Sequence, residues 1–219
     1  MSAPDLSADL AADRARALKL TPVSRETAER LDRFAELLLK WQRAVQLVSP
    51  STLAHLWTRH IADSLQLLDL APGAKVWADL GSGGGFPGLV IAAMLKDEAG
   101  AQVHLIESDQ RKSAFLREAA RALELPAMIH VKRIEAVAPG ALPGLEAVTA
   151  RALAPLPDLI GMAAPLIQNG AKGLFMKGAN VDNELTQATK SWNIRATMIP
   201  SKTDAAGRIV VVEQAVRKN

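Results

Sequence analysis

The chain has 219 residues, of which 49% are hydrophobic and 22% charged, a composition that suits one large folded domain and argues against general disorder. It contains no cysteine, which excludes disulfides, thiolate catalysis and cysteine-ligated zinc. The net charge of +3, from 26 basic and 23 acidic residues, permits a nucleic-acid partner without requiring one.

The N-terminal stretch is rich in Ala, Asp and Arg and contains no apolar segment typical of a secretory signal. We expect residues 1–22 to form a flexible tail or a frayed helix. The longest strongly apolar run, 89–95, is too short to cross a bilayer. These features predict a cytoplasmic protein that has no membrane partner.

Residues 23–70 carry two helical patterns, and we expect both helices to pack on the core. The first pattern follows Ser24, a suitable N-cap, and the second follows a break at 49–52. The first apolar stripe recurs at spacings of three and four and consists of Leu31, Phe34, Leu38, Trp41, Val45 and Val48. The second consists of Leu53, Trp57, Ile61, Leu65 and Leu68.

From residue 71 to residue 219 short apolar strands alternate with helices. This alternation predicts an α/β fold with a mostly parallel, Rossmann-like seven-stranded sheet, which forms a single globular unit with the N-terminal helical extension. We expect the last two strands to form an antiparallel hairpin. The predicted strands are 75–80, 101–108, 127–133, 145–152, 170–178, 194–200 and 208–216, and the predicted helices are 88–96, 110–125, 157–168 and 182–192.

Residues 79–88 read DLGSGGGFPG, and their five glycines lie between a predicted strand and a predicted helix. Glycine allows a ligand to lie directly against the backbone. One match is the dinucleotide pattern formed by Gly83, Gly85 and Gly88. The other is the first motif of class I S-adenosylmethionine-dependent methyltransferases, formed by Asp79, Gly81, Gly83 and Gly85.

Asp79 favours the methyltransferase interpretation, because a carboxylate repels a pyrophosphate and tolerates an ammonium or a sulfonium group. A tight turn without a ligand is the remaining alternative. Glu107 ends the second strand, where a carboxylate accepts hydrogen bonds from ribose hydroxyls in either class of site. Alternatively, Glu107 is a surface acid paired with Arg111 or Lys112.

Two further positions lie at the same edge of the predicted sheet. Glu135, after the third strand, is a candidate contact for the adenine or an ordinary surface acid. Arg151, after the fourth strand, is a candidate anchor for a carboxylate or a phosphate, or an ion-pair partner of Asp158. The Asp/Asn-Pro-Pro-aromatic motif of adenine-N6 methyltransferases is absent from this position. An acceptor with a free lone pair, such as guanine N7, needs no general base, and catalysis then rests on alignment.

The segments WTRHIADSLQL, DLGSGGGFPG, LIESDQRKSAFLREAA, KRIEAV, TARAL and FMKG together resemble the bacterial 16S ribosomal RNA guanine-N7 methyltransferase family. The likeness extends from about Leu31 to the C-terminus. It implies a class I methyltransferase fold, S-adenosylmethionine as methyl donor, and N7 of one guanine in 16S rRNA of the small subunit as acceptor. The cofactor contacts it implies, together with those from the motif arguments above, are Asp79, Gly81, Gly83, Gly85, Phe86, Glu107, Ile134, Glu135 and Arg151.

His60 and Asp63 match the family's His-hydrophobic-x-Asp-Ser segment. We expect them, with Arg151, to position the target base, although a His–Asp pair that only packs the helix is an equal alternative. The chain departs from the family at Gln46, where relatives commonly have Asn in an Asn-Leu-Thr stretch.

The basic residues that we expect to contact RNA phosphates are distributed along the chain. They are Arg59, Arg111, Lys112, Arg133, Lys177 and Arg208. The resemblance therefore predicts a monomeric, metal-independent enzyme that acts on the small ribosomal subunit. The alternatives are a methyltransferase for another RNA, a protein or a small molecule, an NAD-binding oxidoreductase, and a non-catalytic ribosome-binding protein.

Overall fold

The computed structural model describes residues 6–218 and contains one seven-stranded sheet. The strand order is β3-β2-β1-β4-β5-β7-β6. The first five strands pair in parallel, and β7 runs antiparallel to both β5 and β6, so the predicted closing hairpin is confirmed. The strands are β1 (Val76–Leu80), β2 (Gln102–Glu107), β3 (Ala127–Val131), β4 (Ala147–Arg151), β5 (Lys172–Lys177), β6 (Trp192–Pro200) and β7 (Arg208–Arg217).

Helices cover both faces of the sheet and enclose two apolar clusters. One cluster lies between the sheet and helices α2, α4 and α5, and the other lies between the sheet and helices α6 and α7. The α-helices are α1 (Leu6–Leu20), α2 (Arg25–Gln42), α3 (Asp63–Leu65), α4 (Gly88–Met94), α5 (Gln110–Ala122), α6 (Leu156–Ile167) and α7 (Val181–Ser191). No helix among the described residues is long and apolar enough to span a bilayer.

The predicted N-cap of α2 is present. The Ser24 side chain accepts a hydrogen bond from Thr27 N at 3.1 Å. Asp109 caps α5 in the same way, accepting from Arg111 N and Lys112 N at 2.8 and 2.9 Å. These side chains occupy backbone donors that the first helical turn leaves without partners, which explains where both helices begin.

The region predicted as the second N-terminal helix, after the break at 49–52, consists of several short helical turns that differ in pitch. A 3₁₀ turn spans Pro50–His55, a π-helical turn spans Trp57–Ala62, and α3 follows directly. A further 3₁₀ turn covers Leu68–Leu70. The apolar residues of this stretch recur mostly every four residues, a wider spacing than the α-helical 3.6. A π turn, with its i→i+5 hydrogen bonds, accommodates the wider spacing and keeps the apolar side chains on one face.

Helix α1 differs from the expected flexible tail or frayed helix over residues 1–22. From Leu6 the chain is helical through Leu20, while residues 1–5 lie outside the described residues. Ala17 is 1% exposed and belongs to the same apolar cluster as α2. The helix is only weakly amphipathic, and polar contacts of Asp13 and of Arg14, which pairs with Asp32 at 2.6 Å, also attach it. A pattern search for apolar stripes does not detect an attachment of this kind.

Phe34 connects α2 to the core beneath the glycine turn. Its ring is 1% exposed and lies 5.3 Å from the Phe86 ring and 6.3 Å from the Phe115 ring, measured between centroids. We expect Phe34→Ala to lower the free energy of unfolding by about 3–5 kcal/mol, because it removes buried surface and leaves a cavity. Urea denaturation measures the change. Glu36→Ala, on the exposed side of the same helix, should change it by less than about 0.5 kcal/mol, and equal effects of the two substitutions would contradict this packing.

Candidate active site

The glycine turn follows β1 and requires glycine at several positions. Gly81, Gly83 and Gly85 have φ values of +69°, +52° and +84°, in the left-handed region that favours glycine. At Gly83 a Cβ would meet only Gly81 O, at 3.8 Å, so this position faces open space. The turn therefore forms a bare backbone wall with room for a ligand against it.

Asp79 and Gly85 lie beneath this wall. Asp79 is fully buried, and its Oδ2 accepts a hydrogen bond from Gly88 N at 3.1 Å. A Cβ at Gly85 would lie 2.6 Å from Leu89 Cδ1, so this glycine also packs inward. Burial raises the pKa of Asp79 to about 7. The sequence prediction placed both residues among the cofactor contacts, whereas the structure makes them supports of the turn.

A cleft of about 500 Å³ lies against the outer side of the turn. Glu107 is held in its wall, because Oε2 accepts from Gly83 N at 2.9 Å and Oε1 accepts from Asp109 N at 2.8 Å. Each carboxylate oxygen keeps a lone pair for a further donor. The predicted cofactor residues that line this cleft are Gly81, Gly83, Phe86, Glu107, Ile134, Glu135 and Arg151.

The groups that line this cleft fit an S-adenosylmethionine molecule. The bare backbone at Gly83 and the carboxylate of Glu107 lie side by side, joined by the hydrogen bond at 2.9 Å. A carboxylate at the end of the second strand suits a ribose diol. Lining residues from the loop after β3, among them Ile134 and Glu135, provide an apolar and a polar contact for a base.

A second cavity of about 480 Å³ adjoins the first. Leu47, Arg151 and Ala152 line both cavities and so form the boundary between them. His60 and Asp63, which we expect to position the target base, both line the second cavity. A reaction between two bound molecules can therefore take place across this boundary.

Arg151 holds His60 in one protonation state. Arg151 Nη2 lies 2.6 Å from His60 Nδ1, and Nη1 donates to Arg59 O at 3.2 Å. Because arginine has no acceptor, His60 Nδ1 accepts, and its Nε2 carries the proton and donates to Thr52 Oγ1 at 2.8 Å. Burial, with the charges of Arg151 and Arg59, lowers the pKa of His60 to about 3. The imidazole is therefore neutral at physiological pH.

Aromatic contacts complete the surroundings of Arg151. Its guanidinium carbon lies 5.2 Å from the centroid of the Phe86 ring, and the His60 ring lies 4.9 Å from the same ring. Among the described residues Arg151 forms no ion pair with Asp158, the alternative raised by the sequence. Burial lowers the pKa of Arg151, while the charges of Asp63 and Asp79 raise it.

Asp63 anchors the turn between β6 and β7. Its Oδ1 accepts from Thr203 Oγ1 at 2.6 Å, from Gln66 Nε2 at 2.7 Å and from Ser201 Oγ at 3.2 Å. Burial raises the pKa of Asp63, and the hydrogen bonds and nearby arginines oppose this effect. Ser201 and Thr203 also line the second cavity, and the sequence analysis did not identify them.

The predicted RNA-binding residues differ in how firmly they are held. Arg59 pairs with Asp204 at 2.5 Å, and Lys177 pairs with Glu184 at 2.6 Å. The Lys177 side chain is only 11% exposed and also donates to Ala154 O at 2.8 Å. Lys177 therefore holds the loop after β4 in place. These contacts would have to break before Lys177 could bind a phosphate.

The other four basic candidates form no ion pair among residues 6–218. Arg111 donates to Ala44 O, and Arg208 donates to Ala205 O and Gly207 O, so both use backbone carbonyl partners. Lys112 and Arg133 line the first cleft, and neither forms an ion pair within residues 6–218. Of the six predicted RNA contacts, Lys112 and Arg133 are therefore the two that line the first cleft without an ion-pair partner among the described residues.

Gln42 is a further residue that the sequence analysis missed. Its Nε2 donates to Val48 O at 2.8 Å, and its Oε1 accepts from Leu47 N and Val48 N at 2.8 and 3.1 Å. These bonds hold the loop against the glycine turn, where a Cβ at Gly84 would lie 2.8 Å from Leu47 O. Gln46, where the chain departs from the family pattern, is exposed.

Solved structures with the same architecture are methyltransferases. An O-methyltransferase from Bacillus cereus matches with a TM-score of 0.59 and 15% identity over 94% of this chain and 99% of that one. A SAM-dependent methyltransferase from Aquifex aeolicus matches with a TM-score of 0.54 and 14% identity over 80% and 97%. The sheet order and these likenesses show that the chain has the class I methyltransferase fold.

Comparison of the sequence with known proteins shows the family of the chain, in addition to its fold. Residues 27–209 match the family model described as rRNA small subunit methyltransferase G. The ribosomal RNA small subunit methyltransferase G of Bradyrhizobium sp. strain BTAi1 is 56% identical over 96% of this chain and 95% of its own length. The protein of that name from Bradyrhizobium diazoefficiens is 54% identical over 99% and 84%. The chain belongs to the rRNA small subunit methyltransferase G family.

The state of His60 is open to direct measurement. With its pKa lowered to about 3, we expect ¹⁵N NMR to show a neutral Nε2–H imidazole at neutral pH, assigned through a His60→Gln variant. Since the folded-state pKa lies below the ordinary value of 6.5, this group's contribution to stability is full above pH 6.5 and is lost as the pH falls towards 3. A titration midpoint near the ordinary value would contradict the described contacts.

Proposed function

We propose that the chain transfers the methyl group of S-adenosylmethionine to N7 of one guanine in 16S rRNA of the small ribosomal subunit. The observation that carries the proposal is the pair of adjoining cavities that share Arg151, in a member of the rRNA small subunit methyltransferase G family. When bound, S-adenosylmethionine supplies an electrophilic methyl group on a sulfonium centre. The first cavity serves this donor, and the second serves the base.

The protonation states at the boundary favour an acceptor that carries no proton. Both nitrogens of His60 are engaged, one by Arg151 and one by Thr52, so neither is placed to remove a proton. Asp63 holds the turn between β6 and β7 through Oδ1, which accepts from three donors. Guanine N7 has a free lone pair in the plane of the ring and needs no base. The contribution of the protein is then alignment of that lone pair with the methyl group.

The roles within the first cavity follow from its lining. Glu107 accepts hydrogen bonds from the ribose hydroxyls, and the bare backbone at Gly81 and Gly83 lies against the cofactor. Ile134 and Glu135 lie at the adenine. Phe86 and Arg151 lie at the end of the cleft nearest the second cavity, since Arg151 lines both. His60, Asp63 and Arg151 position the target base.

RNA phosphates bind at the mouth of the first cleft and around the second cavity. Lys112 and Arg133 are the best supported contacts, because they line the cleft and have no ion-pair partner among residues 6–218. Arg59, Arg111 and Arg208 contribute after local rearrangement of their present partners. Such contacts give salt-dependent affinity and little base identity. The partner that suits them is a folded rRNA surface recognised by its shape.

Chemical mapping tests the reaction. Small subunits that lack the modification are incubated with the protein and S-adenosylmethionine, and the 16S rRNA is cleaved at N7-methylguanine. We expect one new cleavage site that requires both protein and cofactor. Transfer of labelled methyl to another base atom, or to ribosomal protein alone, would overturn the proposed acceptor.

Glu107 provides a test of the donor site. Glu107→Gln preserves size but replaces one acceptor oxygen by a donor, so it loses one charged hydrogen-bond partner. We expect the Kd for S-adenosylhomocysteine, measured by calorimetry, to rise by about tenfold to a hundredfold. Glu98→Gln, whose parent side chain is 59% exposed in a loop outside the cleft, is the matched control and should leave the Kd unchanged. An equal Kd for the two variants would remove Glu107 from the cofactor site.

A further inference from the structure

Asp13 of α1 is a buried carboxylate that contacts the segment Trp57–Ala62. Its side chain is only 2% exposed. Oδ2 accepts from Trp57 N at 2.8 Å and from Thr58 N at 3.0 Å, and Oδ1 accepts from Thr58 Oγ1 at 2.6 Å. Arg16 Nη2 balances the charge at 2.8 Å from Oδ1. Both carboxylate oxygens thus accept hydrogen bonds from the first two residues of this π-helical segment.

The segment has no capping side chain of its own. Leu56, which precedes it, forms no side-chain cap. The first N–H groups of a helical segment lack partners within it, and buried donors without partners are costly. Asp13 supplies the missing acceptor from a position 44 residues earlier in the chain. The contacts of Asp13 with this segment are thus to Trp57 and Thr58, directly before Arg59 and His60.

The capped residues are followed directly by two residues that contact Arg151, which lies at the boundary between the cavities. Arg59 O accepts from Arg151 Nη1, and His60 Nδ1 accepts from Arg151 Nη2. The axial position of the segment therefore sets where the guanidinium of Arg151 lies. A displacement of about 1 Å at a reacting centre can lower the rate a hundredfold.

We propose that Asp13 is a positioning residue of the acceptor cavity, acting through the segment Trp57–Ala62 on His60 and Arg151. The inference rests on the proposed function, because it assigns methyl transfer to the boundary that this segment helps to form. Asp13 lies outside the stretch 27–209 that the family model covers. The role is separate from donor binding, because the contacts of Asp13 are to the segment and to Arg16, away from the first cleft.

The experiment compares Asp13→Asn with Asp9→Asn in the full chain. Asn has the size of Asp, but its amide nitrogen cannot accept a hydrogen bond, so the donors of Trp57 and Thr58 compete for one oxygen. Asp9 is exposed on the same helix. We expect kcat for methylation of small subunits to fall by about tenfold to a hundredfold in Asp13→Asn, with the Kd for S-adenosylhomocysteine unchanged. Asp9→Asn should match the wild type in both measurements.

A purely structural role for Asp13 would weaken donor binding and lower the melting temperature without a selective loss of kcat, and that result would overturn the proposal. So would a kcat in Asp13→Asn within twofold of the Asp9→Asn value. If Asp13→Asn does not fold, Thr58→Val decides the question. It removes only the hydroxyl that donates to Oδ1, and we expect a smaller loss of kcat with donor binding intact. An unchanged kcat in Thr58→Val would then overturn the inference.

These results are distinguishable from a failure of the proposed function. If the wild type does not methylate N7 of a guanine in 16S rRNA, the function is wrong whatever the Asp13 variants do. If the wild type methylates it and Asp13→Asn does so equally well, only the positioning role is wrong. Amide hydrogen exchange at Trp57 and Thr58 adds a readout that is independent of activity, since loss of the cap should raise exchange there.

Discussion

Arg151 carries a permanent positive charge between the two cavities, in a position where burial lowers its pKa. A buried guanidinium is costly unless its surroundings replace the lost water. Here a backbone carbonyl, a neutral imidazole and the face of Phe86 do so at close range, and the charges of Asp63 and Asp79 act from further away. The geometry of the boundary depends on this one side chain, because His60, Phe86 and the segment Trp57–Ala62 are all arranged around it.

A second set of bonds ties the hairpin between β6 and β7 to the same region. Arg59 pairs with Asp204, and Asp63 accepts from Thr203 and Ser201. Gln66 and Asp69 extend these ties to Lys202, through its backbone N–H and its ammonium group respectively. Residues from the N-terminal part of the chain thereby enclose one side of the acceptor cavity, and the last strands enclose the other. The cavity exists only when both parts are in place, which explains why no single motif describes it.

The sequence predicted the sheet and the closing hairpin, because these depend on local periodicity. It placed Gly81, Gly83 and Glu107 correctly at one edge of the sheet. It misplaced Asp79 and Gly85, since a motif does not tell which residues of a turn face outward. It missed the docking of α1, which rests on polar contacts between residues distant in sequence, among them Arg14 with Asp32 and Asp13 with Thr58. It also gave Lys177 as a candidate RNA contact without detecting its ion pair with Glu184, which forms only in the folded chain.

The backbone donors of the glycine turn bear on the choice between a methyl donor and a dinucleotide. A pyrophosphate needs free N–H groups at the start of the helix. In this turn Gly83 N donates to Glu107 and Gly88 N donates to Asp79. The amides of Gly81 and Ser82 donate to Ile106 O, and that of Gly85 donates to Ser82 O.

The backbone N–H groups of the turn named above therefore already donate hydrogen bonds within the protein. Repulsion between Asp79 and a phosphate is only partial, because the carboxyl beneath the turn has a pKa near 7 and is not fully charged at neutral pH. Asp79 and Glu107 act against a pyrophosphate mainly by occupying the donors it would need. The same hydrogen bond from Gly83 holds Glu107 in the wall of the cleft, so one contact both occupies a donor that a phosphate would need and fixes the carboxylate that we propose for the ribose.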